Sequence, residues 1–204
     1  MSDAEPSRSL EVERKYDVAD RIALPDWTAL PGVATVDAPE VRELDARYFD
    51  TDDLALGRAR IALRRRTGGP DEGWHVKSAS EEGRHEAHWP LGIEDAADAV
   101  PAAVAASAGV AAPLRPLARL RNTRVAYTLR DAAGGVVAEV VDDRVRALAE
   151  RTGATRAWRE WEVELGSAAP VDQAAFFAAV DALVRSAGGA PASAESKLGR
   201  ALGA

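Results

Sequence analysis

Glu11, Glu13 and Lys15 stand at two-residue intervals near the start of the chain. In an extended strand alternate side chains share a face, so these three charges point one way, and Leu10, Val12 and the apolar stem of Arg14 point the other. The pattern returns near the far end, where Glu160, Glu162 and Glu164 lie opposite Trp161, Val163 and Leu165. Between the two acidic segments come alternating cations: Arg64 with Arg66, then His75 with Lys77, then Arg84 beside Glu86 and His88. Charged faces fit a hydrophobic core poorly. One such segment alone reads as a solvated sheet edge. Acidic and basic rows recurring on a set of strands that each keep one apolar face point instead to an enclosed, ionic cavity.

The elements that must carry these residues follow from turn and period signals. A first strand is expected over 8–18 and a loop with a short helix over 19–33, where Pro25, Pro31 and Gly32 fall. A second strand is expected at Glu43–Asp50, followed by a capped helical turn from Asp50–Asp53 to Gly57. Ile61–Arg66, Trp74–Lys77 and Arg84–Trp89 alternate between turn signals, among them Gly68-Gly69-Pro70-Asp71, and read as an antiparallel meander. Glu94-Asp95 opens an alanine-rich helix running to about Ser107. Strands return at 117–129, 136–147 and 156–165. An amphipathic helix then starts at Pro170-Val171-Asp172, with Phe176, Phe177, Val180, Leu183 and Val184 at three- and four-residue spacings, and ends at Gly188-Gly189. The expectation is an α+β fold: an eight-stranded antiparallel closed β-barrel with flanking helices, one domain over 1–204, with 1–7 a flexible tail.

Composition narrows the function. With 204 residues, 47% of them apolar, a sizeable core is available. A net charge of -7 argues against a general nucleic-acid binder, yet leaves room for a local cationic pocket. The chain has no cysteine, which removes disulfides and thiolate chemistry. Neither a secretory leader nor an apolar span of membrane length is recognisable, so a cytoplasmic protein without membrane contact is expected. Among 26 basic residues only Lys15, Lys77 and Lys197 are lysine. Where arginine has replaced lysine so widely, retained lysines are candidates for point-charge roles that arginine fills less well.

The ordered set Glu11-x-Glu13-x-Lys15, Tyr48-Phe49-Asp50-Thr51, Leu63-Arg64-Arg65-Arg66, Gly73-Trp74-His75-Val76-Lys77, Arg84-x-Glu86, Asn122-Thr123-Arg124, Glu162-x-Glu164 and Ser196-Lys197 resembles the CYTH superfamily, the triphosphate tunnel metalloenzymes. Each piece is weak alone; the order over nearly the whole chain is specific. The likeness is greatest to the thiamine-triphosphatase branch and to bacterial modules joined to a CHAD domain, here without that domain. Two departures stand out. Ser78-Ala79-Ser80 follows Lys77 where the family often has proline. Residues 19–43 hold no counterpart of the tyrosine that smaller bacterial triphosphatases pair with the first-strand lysine.

The resemblance implies a small triphosphate substrate, inorganic tripolyphosphate or thiamine triphosphate, hydrolysed with Mg²⁺ or Mn²⁺ in a cationic tunnel; a homodimer is compatible with it. Lys15, Arg64, Arg66, Lys77, Arg84, Arg121, Arg124 and Lys197 would hold the phosphates. Glu11, Glu13, Glu139, Asp143, Glu162 and Glu164 would hold the metal. Lys15 and Glu13 would be catalytic, with Lys15 orienting phosphate or water in preference to acting as general base. The alternatives are a non-catalytic polyphosphate- or nucleotide-binding module and a class IV-type adenylyl cyclase. Zinc at His75, His85 and His88 is disfavoured, because no helical His-Glu-x-x-His spacing exists.

Overall fold

The computed structural model describes residues 5–81, 83–92 and 99–203. The strands are β1 (Ser7–Glu11), β2 (Glu13–Asp17), β3 (Thr35–Val36), β4 (Glu40–Asp50), β5 (Ile61–Thr67), β6 (Gly73–Ala79), β7 (Arg84–Pro90), β8 (Arg115–Arg130), β9 (Val136–Ala149), β10 (Ala154–Leu165) and β11 (Ala190–Pro191). The helices are α1 (Ala55–Arg58), α2 (Ala102–Ser107), α3 (Gln173–Ala187) and α4 (Lys197–Leu202), with a 3-10 turn at Trp27–Ala29. That turn replaces the helix expected within 19–33. The expected start of α2 at Glu94-Asp95 lies outside the described residues.

The closed eight-stranded barrel is not what the chain forms. One antiparallel sheet of eleven strands runs in the order β1-β7-β6-β5-β4-β8-β9-β10-β2-β11, with β3 on the side of β8. It stays open, because no ladder joins β1 to β2. The first strand, expected to be continuous, breaks at Val12: β1 pairs with β7 at one end of the sheet and β2 with β10 at the other. The break and the two-residue strands β3 and β11 account for the three strands beyond eight. Sequence alternation could not reveal the break, since Glu11, Glu13 and Lys15 keep their common face across it.

Three apolar clusters hold this sheet. α3 covers the outer face of β9, β10 and β2, packing Phe176, Val180 and Val184 against Trp161, Val163 and Tyr16. Its start is fixed by Asp172, whose carboxylate accepts from the Ala175 amide. α1 and α2 cover β5–β7 through Leu56 and Val104, on Leu63, Trp74 and Trp89. The third cluster lies on the inner face, where Tyr48, Leu120 and Val145 meet Leu198 and Ala201 of α4. Trp74, Trp89 and Trp161 thus pack outside, opposite the charged faces of their strands, and Trp27 joins Trp161 from the 3-10 turn with ring centroids 6.0 Å apart.

Candidate active site

The inner face surrounds a cavity of about 490 Å³ with walls from β1, β2, β4–β10 and α4. Strand parity decides which side chains reach it. Glu11, Glu13, Lys15, Arg64, Arg66, Lys77, Arg84, Arg124, Glu139, Glu162, Glu164 and Lys197 all line it. Two expected residues do not. Asp143 points inward but is 0% exposed, sealed beneath Arg124, which grips it through Nε at 2.8 Å and Nη2 at 2.7 Å. Arg121 is the clear correction: three residues from Arg124 on one strand, it must face the other way. Its side chain is 68% exposed and pairs with Asp45 at 3.3 Å on the outer surface.

The register sorts the acids into two groups. Glu13, Glu164 and Glu139 occupy one row across β2, β10 and β9. Asp143 and Glu160 are paired in another, and with Glu162 they bring carboxylate oxygens within 4.8 Å of one another. This second group is already matched by cations. Lys197 Nζ sits 2.9 Å from Asp143, 2.6 Å from Glu160 and 2.7 Å from Glu162, and Arg124 reaches Glu162 at 3.1 Å. Lys15 adds contacts to Glu162 and, at 3.0 Å, to Glu13. Glu160 was missing from the expected site, although its place two residues before Glu162 already signalled the shared face.

In the first group Glu13 is answered by Lys15, which with Lys77 holds its carboxyl down to about 2 against the opposing effect of burial, and Glu139 is answered by Arg42. Among the described residues Glu164 has no ion-pair partner, and burial followed by the neighbouring Glu11 and Glu13 pushes its carboxyl up to about 7. Burial also raises Glu11, against the opposing pull of Lys77. Glu164 and Glu11, hard oxygen donors that resist ionising beside the charged Glu13, are what a divalent cation such as Mg²⁺ or Mn²⁺ would relieve. A metal therefore fits the row Glu13–Glu164–Glu139 with Glu11. The group Asp143–Glu160–Glu162 also brings three carboxylates close enough to hold an ion, in competition with Lys197, which contacts all three.

The cations converge from the opposite wall. Lys77 holds Glu11 at 2.6 Å, and Arg64 donates to the Tyr48 hydroxyl at 3.4 Å. Arg66 binds the Asp71 carboxylate. Burial, then Arg64 and Arg124, push Arg66 down to about 9, a mark of like-charge crowding that still leaves it charged at neutral pH. The Nε atoms of Arg42, Arg64 and Arg66 are buried without a hydrogen-bond acceptor. Unanswered guanidinium donors beside a cavity suit an anionic ligand. Arg42, which also touches Glu139 at 3.3 Å, is a wall residue the sequence reading missed, because β4 begins three residues earlier than expected. Burial and then Lys197 push the Lys15 amine down to about 8, against the pull of Glu13.

At the end of the cavity near β5 and β6, His75 is 1% exposed. Its Nδ1 lies 2.6 Å from Glu86 Oε1 and its Nε2 lies 3.0 Å from the Asp71 carbonyl oxygen. Burial, then Arg64 and Arg66, favour a neutral ring and push its pKa down to about 3, whereas two acceptors ask for two N–H groups. Against the opposing effect of burial, the His75 hydrogen bond, with Lys77 and Arg64, holds the Glu86 carboxyl well below the usual carboxylate range, so an ionised Glu86 sits beside a neutral ring.

A curved antiparallel sheet enclosing facing rows of acids and bases is the class of protein this geometry defines. The CYTH domain family matches residues 9–198, and the chain belongs to it. An uncharacterized protein of Mycobacterium tuberculosis strain H37Rv is 39% identical over 216 residues, covering 98% of this chain and 41% of the relative, so the chain spans about two fifths of that protein's length. A candidate adenylate cyclase of Bacillus halodurans shares the fold with a TM-score of 0.62 at 16% identity, covering 95% of this chain and 97% of that one. A candidate adenylyl cyclase of Hippeastrum, described as having a dominant triphosphatase activity, aligns with a TM-score of 0.54 at 17% identity over 95% and 96% of the two chains. No helix among the described residues is long and apolar enough to cross a membrane.

Proposed function

We propose that the chain hydrolyses a short triphosphate, inorganic tripolyphosphate or thiamine triphosphate, in a metal-dependent reaction inside this cavity. The observation that carries the reading is the meeting of Arg64, Arg66, Lys77 and Arg124 with the row Glu13–Glu164–Glu139 around one space. A triphosphate needs several cations at once, and a low-dielectric wall strengthens each contact. Anion capture alone would not call for buried glutamates beside the ligand.

Arg64, Arg66 and Arg124 would take phosphoryl oxygens through paired hydrogen bonds, with Lys77 as a point charge. Glu13, Glu164 and Glu139, with Glu11, would hold the divalent ion, which when bound neutralises developing charge and polarises phosphoryl oxygen or water. Lys15, mostly protonated at neutral pH, donates to a phosphoryl oxygen or orients the attacking water from its place beside Glu13. Lys197 stays in its carboxylate socket and fixes α4 as the floor. The cyclase reading is weaker, because Tyr48 is the one aromatic side chain among the described lining residues and offers little to a purine.

The test is a panel of tripolyphosphate, thiamine triphosphate, ATP and long-chain polyphosphate with Mg²⁺ or Mn²⁺, scored for phosphate release, cyclic AMP and binding. Release from one of the two short triphosphates supports the reading. Cyclic AMP formation, or binding without release, replaces it with the cyclase or the binding module.

A further inference from the structure

The outer surface of the sheet carries a second concave feature, back to back with the cavity. Leu120, Asn122 and Val145 line the cavity, so the alternate positions of β8 and β9 turn the other way. There a groove of about 510 Å³ is lined by Arg119, Arg121, Arg146, Leu148, Thr155 and Arg156, the rest of its wall being alanine. All of these residues lie on β8, β9 or β10, and among the described residues none that lines the groove is acidic.

The arginines are held together against their own repulsion. Arg121 and Arg146 are direct cross-strand partners, a like-charge pairing that costs a sheet stability. Asp45 answers Arg119 at 2.7 Å and Arg121 at 3.3 Å. Neither Arg146 nor Arg156 has an ion-pair partner among the described residues. In a chain with a net charge of -7, four arginines around one groove, two of them unanswered, reverse the local sign.

The chemistry of the lining narrows the occupant. Its side chains donate hydrogen bonds and, apart from the Thr155 hydroxyl, accept none. The backbone of β9, the middle strand, is paired on both sides. A peptide would bring N–H donors that find no acceptor here. A nucleic-acid strand would bring bases, and no aromatic ring is among the described lining residues. Inorganic polyphosphate brings only acceptor oxygens and negative charge along a line. Positions about 5 Å apart across a ladder and about 7 Å apart along a strand let separate guanidinium groups grip separate phosphoryl groups of one chain.

We infer that this outer groove binds inorganic polyphosphate at a site separate from the cavity. The inference does not rest on the triphosphate reading, because the two sites lie on opposite faces of one sheet.

Long-chain polyphosphate and tripolyphosphate are titrated by calorimetry at fixed salt into wild type, Arg146→Glu, Arg146→Ala/Arg156→Ala and Arg64→Ala, each shown to be folded by circular dichroism. Arg146→Glu and the double variant should lose about tenfold in affinity for the long chain, the worth of one hydrogen bond to a charged group. Their affinity should also fall less steeply with salt, since fewer counter-ions are released. Tripolyphosphate binding by both should stay within about twofold of wild type. Long-chain binding that these two variants leave unchanged, or that Arg64→Ala alone weakens, overturns the groove and leaves the triphosphate reading standing. A poly-glutamate peptide or a single-stranded oligonucleotide that binds more tightly than polyphosphate, with the same loss in the variants, overturns the choice of ligand. Tripolyphosphate that binds none of the proteins overturns the triphosphate reading alone.

Discussion

Glu13 of β2 and Glu164 of β10 face each other at one ladder position, and Glu139 of β9 extends the same row. Like charges directly opposite across a sheet destabilise it. The fold tolerates the arrangement by keeping Glu164 partly protonated, which gives metal-free protein a pH signature.

In chelator-treated protein, Glu164 has a folded pKa of about 7 against a reference of 4.5. Because the folded value lies above the unfolded one, ionisation costs stability. The cost is absent below pH 4.5, grows as pH rises, and is complete above pH 7. It amounts to at most about 3 kcal/mol. Glu164→Gln should therefore raise the urea midpoint at pH 8 and leave it unchanged at pH 4. Equal midpoints for both proteins at pH 8 would contradict the crowding.

Arg64 and Arg121 make a matched pair of tests on opposite faces. Arg64→Ala should weaken tripolyphosphate binding by roughly 10- to 100-fold, the worth of one or two hydrogen bonds to charged groups. Arg121→Ala should leave binding within about twofold, since its side chain points away from the cavity. Titration calorimetry at fixed salt separates them, and equal losses would void the inner-face assignment.

Lys197 fills a socket of three carboxylates. Lys197→Met removes their shared cation and should destabilise the fold by about 3–5 kcal/mol at neutral pH, the usual cost of stranding buried charge. Lys197→Met combined with Glu160→Gln should regain part of it. A single variant as stable as wild type in urea would mean that the socket is solvated.

Much of the site was legible in the residues themselves. Alternation placed Glu11, Glu13, Lys15, Arg64, Arg66 and Lys77 on one side because a strand's period is fixed at two. The same rule, applied to Arg121 and Arg124, would have excluded Arg121: two residues three apart cannot share a face. Asp143 was legible as inward-facing but not as sealed behind Arg124, which depends on packing between strands. The break at Val12 leaves no local mark. It arises because the halves of one segment pair with β7 and β10, partners more than 60 residues apart in sequence. Strands β3 and β11, two residues each, are too short to carry any period. Closure of the sheet was thus the part least accessible from sequence, and it is the part that failed.

The most direct measurement is phosphate release from tripolyphosphate by wild type and Glu13→Gln, followed as Mg²⁺ or Mn²⁺ is titrated from zero. The account predicts no release without metal, a saturable rise in the wild type, and at least a tenfold loss in Glu13→Gln that extra metal only partly restores. Release that persists in chelator, or that is indifferent to Glu13, would contradict it.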